Sequence, residues 1–140
     1  VITVPETKQA IVERLRVRLP DAYIERRLPR QGEAPPQTEW VLIFGTREFR
    51  RASRDRIGRE TYDLQCLVEV HRDDIDAEAS EQRAWDLLEE IKDELETALD
   101  AGALGPADEI ELADADEELL TTSTGWVARI AFHLAVKAVA

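Results

Sequence analysis

The sequence is poor in the residues from which small active sites are built. It holds one cysteine, two histidines and six glycines in 140 residues, and only 6% of it is aromatic. The lone Cys66 excludes an internal disulfide, and its apolar neighbours place it in a core rather than at a nucleophile's position. A reduced, cytoplasmic place of assembly is therefore expected rather than secretion. Gly45, Gly58, Gly102 and Gly105 stand at no phosphate-binding spacing. His71 and His133 both fall on predicted strands and read as surface or interface residues. No apolar run reaches the roughly 20 residues of a membrane span. The nearest approach, GWVARIAFHLAVKAVA at 125–140, is interrupted by Arg129, His133 and Lys137. Nor does a leader sequence show, because Lys8, Arg14, Arg16 and Arg18 are scattered over a helical pattern instead of preceding an apolar run. The acidic runs Asp73-Asp74-Ile75-Asp76 and Asp114-Ala115-Asp116-Glu117-Glu118 fail as calcium loops, since Leu119 stands where the second would need glycine. No catalytic group, cofactor or metal site is expected.

Charge is what the chain has in abundance, and it is unevenly spread. The net charge is -12. Residues 1–72 carry 14 Lys and Arg against 11 Asp and Glu, whereas residues 73–140 carry 4 against 19. All 19 of those carboxylates lie between Asp73 and Glu118. One reading is a solvated acidic helix that maintains solubility. The other is a molecule with one basic and one acidic surface, able to meet copies of itself head to tail.

The length suits a single domain, residues 1–140, with a core of ordinary size. Thr3-Val4-Pro5-Glu6 resembles a capped helix start, Ala10, Ile11, Leu15 and Leu19 form an apolar stripe, and Pro20 stops the helix. A short strand is expected within 22–28, followed by an exposed, flexible loop over 29–38 that contains PRQGEAPPQ. Trp40 to Phe49 is strand-like. Thr61 to His71 alternates, with Tyr62, Leu64, Cys66, Val68 and Val70 inward and Asp63, Gln65 and Glu69 outward. A long helix from Ile75 or Ala77 to Leu99 follows, striped by Ala84, Leu88, Ile91, Leu95 and Ala98. Asp74 or Asp76 suits its cap, and Gly102 the position past its end. Strand pieces at 110–112 and 119–123 flank ADADEE, expected as a bulge or irregular edge. In the last strand Trp126, Ala128, Ile130, Phe132, Leu134, Val136 and Ala138 share one face, and Arg129, His133 and Lys137 the other. The sum is an α+β fold. A mostly antiparallel sheet is packed on one side by an N-terminal helix and a long amphipathic helix, with a β-arm at about 45–60.

That arm is the one dense constellation: Arg47, Arg50, Arg51, Arg54, Arg56 and Arg59 crowd into REFRRASRDRIGR. Three readings compete: a solvated hairpin tip, phosphate contacts to nucleic acid, and pairing with carboxylates of another subunit. Few aromatics accompany the arginines for base stacking, and the acidic chain as a whole repels a polyanion. Arg129, His133 and Lys137 face either the acidic helix of the same chain or a neighbour.

The order of these elements resembles the tail terminator proteins of long-tailed phages, also called tail completion or minor tail proteins. The pattern covers most of the chain: an N-terminal helix before a β-arm, the strand begun by Arg59-Glu60-Thr61-Tyr62-Asp63-Leu64, the helix carrying Ala84, Leu88, Ile91 and Leu95, the Leu104-Gly105 turn, an acidic hairpin and a closing apolar strand. The resemblance implies assembly rather than catalysis. Its expected form is a ring, usually of six subunits, that caps the tail tube, stops its polymerisation and presents a face to the head-side neck protein. Implied partners are the chain itself, the tail tube protein and a neck protein, with DNA met only in passage through the ring lumen. The implied location is the virion tail, assembled in the host cytoplasm. Interface candidates are the six arm arginines with Arg129, His133 and Lys137. The alternatives are a nucleic-acid-binding module using the arm and another head–tail joining or neck protein.

Overall fold

Burial at helical and at alternating spacing builds two layers. In the computed structural model, which describes residues 2–33, 35–52, 58–122 and 125–140, two helices lie over a five-stranded sheet. The first helix, α1 (Val4–Arg18), buries Thr7, Ile11, Val12 and Leu15 and stops before Pro20. Its start differs from the expected capping box. Thr3 makes no side-chain cap bond. Its hydroxyl instead donates to Glu60 Oε1 at 2.6 Å and its N–H to the same oxygen at 2.7 Å. A buried carboxylate thus draws the cap residue away from the helix and ties the chain start to the sheet.

Strand β1 (Tyr23–Glu25) is three residues long, shorter than the sequence allowed. It runs parallel to β2 (Glu39–Arg51), matching Tyr23 with Trp40 and Glu25 with Leu42. Strand β3 (Arg59–Val70) pairs antiparallel with β2. The second helix, α2 (Ala77–Asp100), precedes two long strands, β4 (Ala107–Thr121) and β5 (Trp126–Val139). Asp76 rather than Asp74 caps α2, its Oδ1 accepting from Ala79 N at 2.8 Å. The sheet order is β1-β2-β3-β5-β4.

Alternation is realised as expected in β3 and β5. Tyr62, Leu64, Cys66, Val68 and Val70 point into one core with Ala128, Ile130, Phe132, Leu134, Val136 and Ala138, beneath Ile11, Leu15, Leu88 and Ile91. At the strand's start, Trp126 is 40% exposed. Of the two pieces expected at 110–112 and 119–123, Ser123 lies outside the described residues, and residues 110–112 and 119–121 belong to one strand, β4. Its register slips between Ala113 and Asp116, with Asp114 at φ 57°. This is a bulge on an edge strand, and it switches which residues face the helices. The arm expected over 45–60 is continuous with the sheet through its described residues. Arg50 pairs with Thr61 and Arg51 with Glu60, while β5 backs β3 as far as the match of Arg59 with Val139.

Candidate functional site

Both helices pack on one face of the sheet, and the other face carries most of the strands' charged side chains. The strand registers arrange that open face in transverse rows. One row runs Trp40, Glu69, Arg129, Glu118 across β2, β3, β5 and β4. Further rows place Arg47 beside Asp63, Ala135 and Glu111, and Arg50 beside Thr61, Lys137 and Glu109.

The three cations of β5 find their partners on this face. Arg129 Nε donates to Glu69 Oε1 at 2.8 Å and lies 4.0 Å from Glu118. His133 Nδ1 is 3.6 Å from Asp114 Oδ2, and Lys137 Nζ is 3.2 Å from Glu109 Oε2. They therefore face neighbouring strands, not the acidic helix, which lies on the opposite side of the sheet. The alternation of β5 alone forces this, because a strand that buries its apolar face under α2 turns its cations away from it.

Glu69 is the hub of its row. It is 5% exposed, although its outward position suggested a solvated side chain. Its second oxygen, Oε2, accepts from His71 Nε2 at 2.7 Å, and the His71 ring stacks on Trp40 with centroids 4.1 Å apart. Burial alone would raise the Glu69 pKa. The hydrogen bond from His71 and the charge of Arg129 outweigh burial and hold the carboxyl below its ordinary value.

The arginines of the arm divide between the two faces. Arg47 and Arg50 are exposed on the open face and form no ion pair among the described residues. Arg51 turns toward the helix side, its Nε 3.5 Å from Oε2 of the buried Glu60. Phe49 also turns that way and stacks on Tyr62 with centroids 6.1 Å apart. The reason is a second bulge, between Arg47 and Arg50, with Glu48 at φ 54°. Arg59 is exposed at the start of β3. Arg54 and Arg56 lie outside the described residues.

Sequence reasoning passed over Glu60, which is 1% exposed. A signal was present: Glu60 shares the parity of Tyr62 and Leu64, so the alternation that buries them also buries this carboxylate. Burial would raise its pKa, but the two hydrogen bonds from Thr3 and the Arg51 charge lower it. Tyr62 Oη completes the cluster by donating to Thr7 Oγ1 at 2.8 Å.

The acidic half forms its own surface. Arg83 of α2 grips Glu39 with two hydrogen bonds of 2.7 and 3.1 Å, and Arg14 of α1 holds Glu94 at 3.0 Å. The outward carboxylates of α2 meet those of β4. The Glu117 charge raises the carboxyl of Glu81 above its ordinary value, and Trp85 Nε1 donates to Glu117 Oε2 at 3.1 Å.

Among the described residues, no three His, Cys, Asp or Glu side chains are grouped to hold a metal ion. Burial pushes the Cys66 thiol far up, out of the thiolate range. An open depression of about 570 Å³ has walls that include Arg50, Asp63, Glu109, Glu111 and Lys137. The charged part of its lining is of mixed sign. No helix among the described residues is long and apolar enough to cross a membrane. Such a surface can pair charge with charge and strand with strand.

No protein-family model and no curated protein matches the sequence. Among solved structures, the chain is similar to one from the virion of a native gene transfer agent (GTA) particle, with a TM-score of 0.55 and 14% sequence identity. The match covers 95% of this chain and 94% of that one, so the likeness spans the whole α+β architecture. At that identity, what the two chains share is the fold.

Proposed function

We propose that this protein is a virion structural component, and specifically a tail terminator that forms a ring on the end of a tail tube. In this role it stops tube polymerisation and offers a surface to the head-side neck protein. The observation that carries the reading is the end-to-end fold likeness to a virion chain. It agrees with the resemblance to tail terminators drawn from the order of elements. The surface supports an assembling role: charges on the open face are arranged in rows across strands, and the sheet has two long outer edges. The role requires no turnover, and we take the protein not to be an enzyme. Its partners would be further copies of itself, the tube protein and a neck protein, with DNA passing through the lumen.

The test is negative-stain imaging and mass photometry of the purified chain, followed by its addition to growing tail tubes. Rings with a central hole, and tubes that stop growing when it is added, are expected. Monomers across micromolar concentrations at low and moderate salt, with no effect on tube growth, would overturn the reading. Rings that leave tube growth untouched would instead favour a neck or head–tail joining protein. The nucleic-acid reading is weaker, because Arg47 and Arg50 share their rows with Asp63, Glu109 and Glu111, which repel phosphate.

A further inference from the structure

The sheet ends in two edges of opposite charge. On one side β1 covers β2 only from Trp40 to Leu42. Beyond that, no strand among the described residues pairs with the outer side of β2 at 43–51. On the other side the outer edge of β4, 15 residues long, is paired by no strand among the described residues. Exposed edges of this length present rows of main-chain donors and acceptors and are templates for strand addition.

Their chemistry differs. Between Asp108 and Glu118 strand β4 carries seven carboxylates and no Lys or Arg. The open part of β2 carries Arg47, Arg50 and Arg51 against Glu48 alone. On the open face Arg47 and Arg50 are exposed without an ion-pair partner among the described residues, and so are Glu111 and Asp116 of β4. Two β4 edges repel each other, as do two β2 edges, so only the mixed pairing is favoured. Two register shifts in each strand, at Ile43/Gly45 and Arg47/Arg50 in β2 and at Ala107/Glu109 and Ala113/Asp116 in β4, keep any such pairing short and restrict its register.

We propose that copies of this chain join edge to edge. The acidic outer edge of β4 in one copy adds to the arginine-bearing outer edge of β2 in the next, through main-chain hydrogen bonds flanked by Arg–carboxylate pairs. The two edges lie at opposite ends of one twisted sheet, so the contact is head to tail and each copy keeps one edge of each kind. This geometry generates rings when the rotation closes. The inference rests on the ring reading above and supplies its contact.

Two measurements on the full chain test it. In the first, mass photometry compares the unaltered chain with the arm pair Arg47→Glu/Arg50→Glu, the edge pair Glu111→Lys/Asp116→Lys and all four together. These side chains are exposed, and circular dichroism verifies that each variant is folded. Each pair alone is expected to weaken association by at least tenfold, and the four-fold swap to restore it. In the second, a chain bearing Arg47→Cys is mixed with one bearing Glu111→Cys and oxidised gently, with Cys66 left buried. A disulfide-linked dimer is expected in the mixture, well above the level in either chain alone. Oligomers unaffected by every charge variant, with no arm-to-edge cross-link, would overturn the edge contact and leave the ring reading standing. An unaltered chain that stays monomeric, yields no cross-link and leaves tube growth unaffected would overturn both.

Discussion

Glu69 is where a single side chain departs most from what its position in the pattern implied. It faces the open side of β3, yet Arg129, His71 and the Trp40–His71 stack close over it. Its carboxyl has a lower pKa folded than unfolded. A depressed carboxylate contributes stability that is fully present above the unfolded value. That stability is lost as pH falls through the folded value. Replacing Glu69 with Gln should therefore cost about 1–2 kcal/mol at pH 7, the half-exposed guanidinium being partly screened. The difference from the unaltered chain should shrink as pH falls through the folded value and the Glu69 carboxyl takes up its proton. Urea titrations from pH 3 to 7 measure this. A constant difference across that range would show that shape, not charge, is what Glu69 supplies.

At the scale of elements, α2 was the most legible part of the chain, because its apolar stripe, acidic first turn and following Gly102 all agree with one helix. Only the cap was ambiguous between Asp74 and Asp76. The structure gives it to Asp76, with φ -77° and ψ 178°, while Asp74 turns outward to Arg72 at 2.7 Å. Asp76→Ala should lower the unfolding free energy by about 1 kcal/mol. Asp74→Ala should leave the thermal midpoint unchanged, and thermal denaturation of the two variants distinguishes the positions. Strand β4 was less legible for a physical reason. A bulge inserts a residue and inverts the alternation on which strand reading depends, so Glu117 and Leu119 face the helices whereas Glu111 and Asp116 do not. The start of α1 misled for a similar reason, because a residue distant in sequence, Glu60, competes for Thr3.

For the whole molecule, the sheet order turns a sequence asymmetry into a spatial one. Strands β1, β2 and β3, with α1, come from the half with 14 cations and 11 carboxylates. Strands β5 and β4, with α2, come from the half whose 19 carboxylates outnumber 4 cations. Within the sheet the halves adjoin only where β3 meets β5, so along the strand order one side is basic or balanced and the other strongly acidic, while Arg14–Glu94 and Arg83–Glu39 join the halves on the helix side. Association through these sides should weaken with salt, since the screening length falls from about 10 Å at 0.1 M to about 3 Å at 1 M. Sedimentation velocity at increasing sodium chloride should show the oligomer dissociating. Oligomers that strengthen in salt would indicate an apolar contact, for which exposed Trp85, Leu119 and Trp126 are the candidates.

The sequence by itself determined the α+β class, the long helix, the two-faced closing strand, the inward Cys66 and the imbalance of charge. Each of these depends on neighbours within a few residues or on simple counting, and periodicity reports both. The tertiary structure alone decided where the charges point. Arg129, His133 and Lys137 find partners on β3 and β4, Arg47 and Arg50 separate from Arg51 at a bulge, and the acidic and basic edges come to lie at opposite ends of the sheet. Those outcomes depend on strand order and register, which are set by contacts between residues far apart in the chain and leave no periodic trace in it.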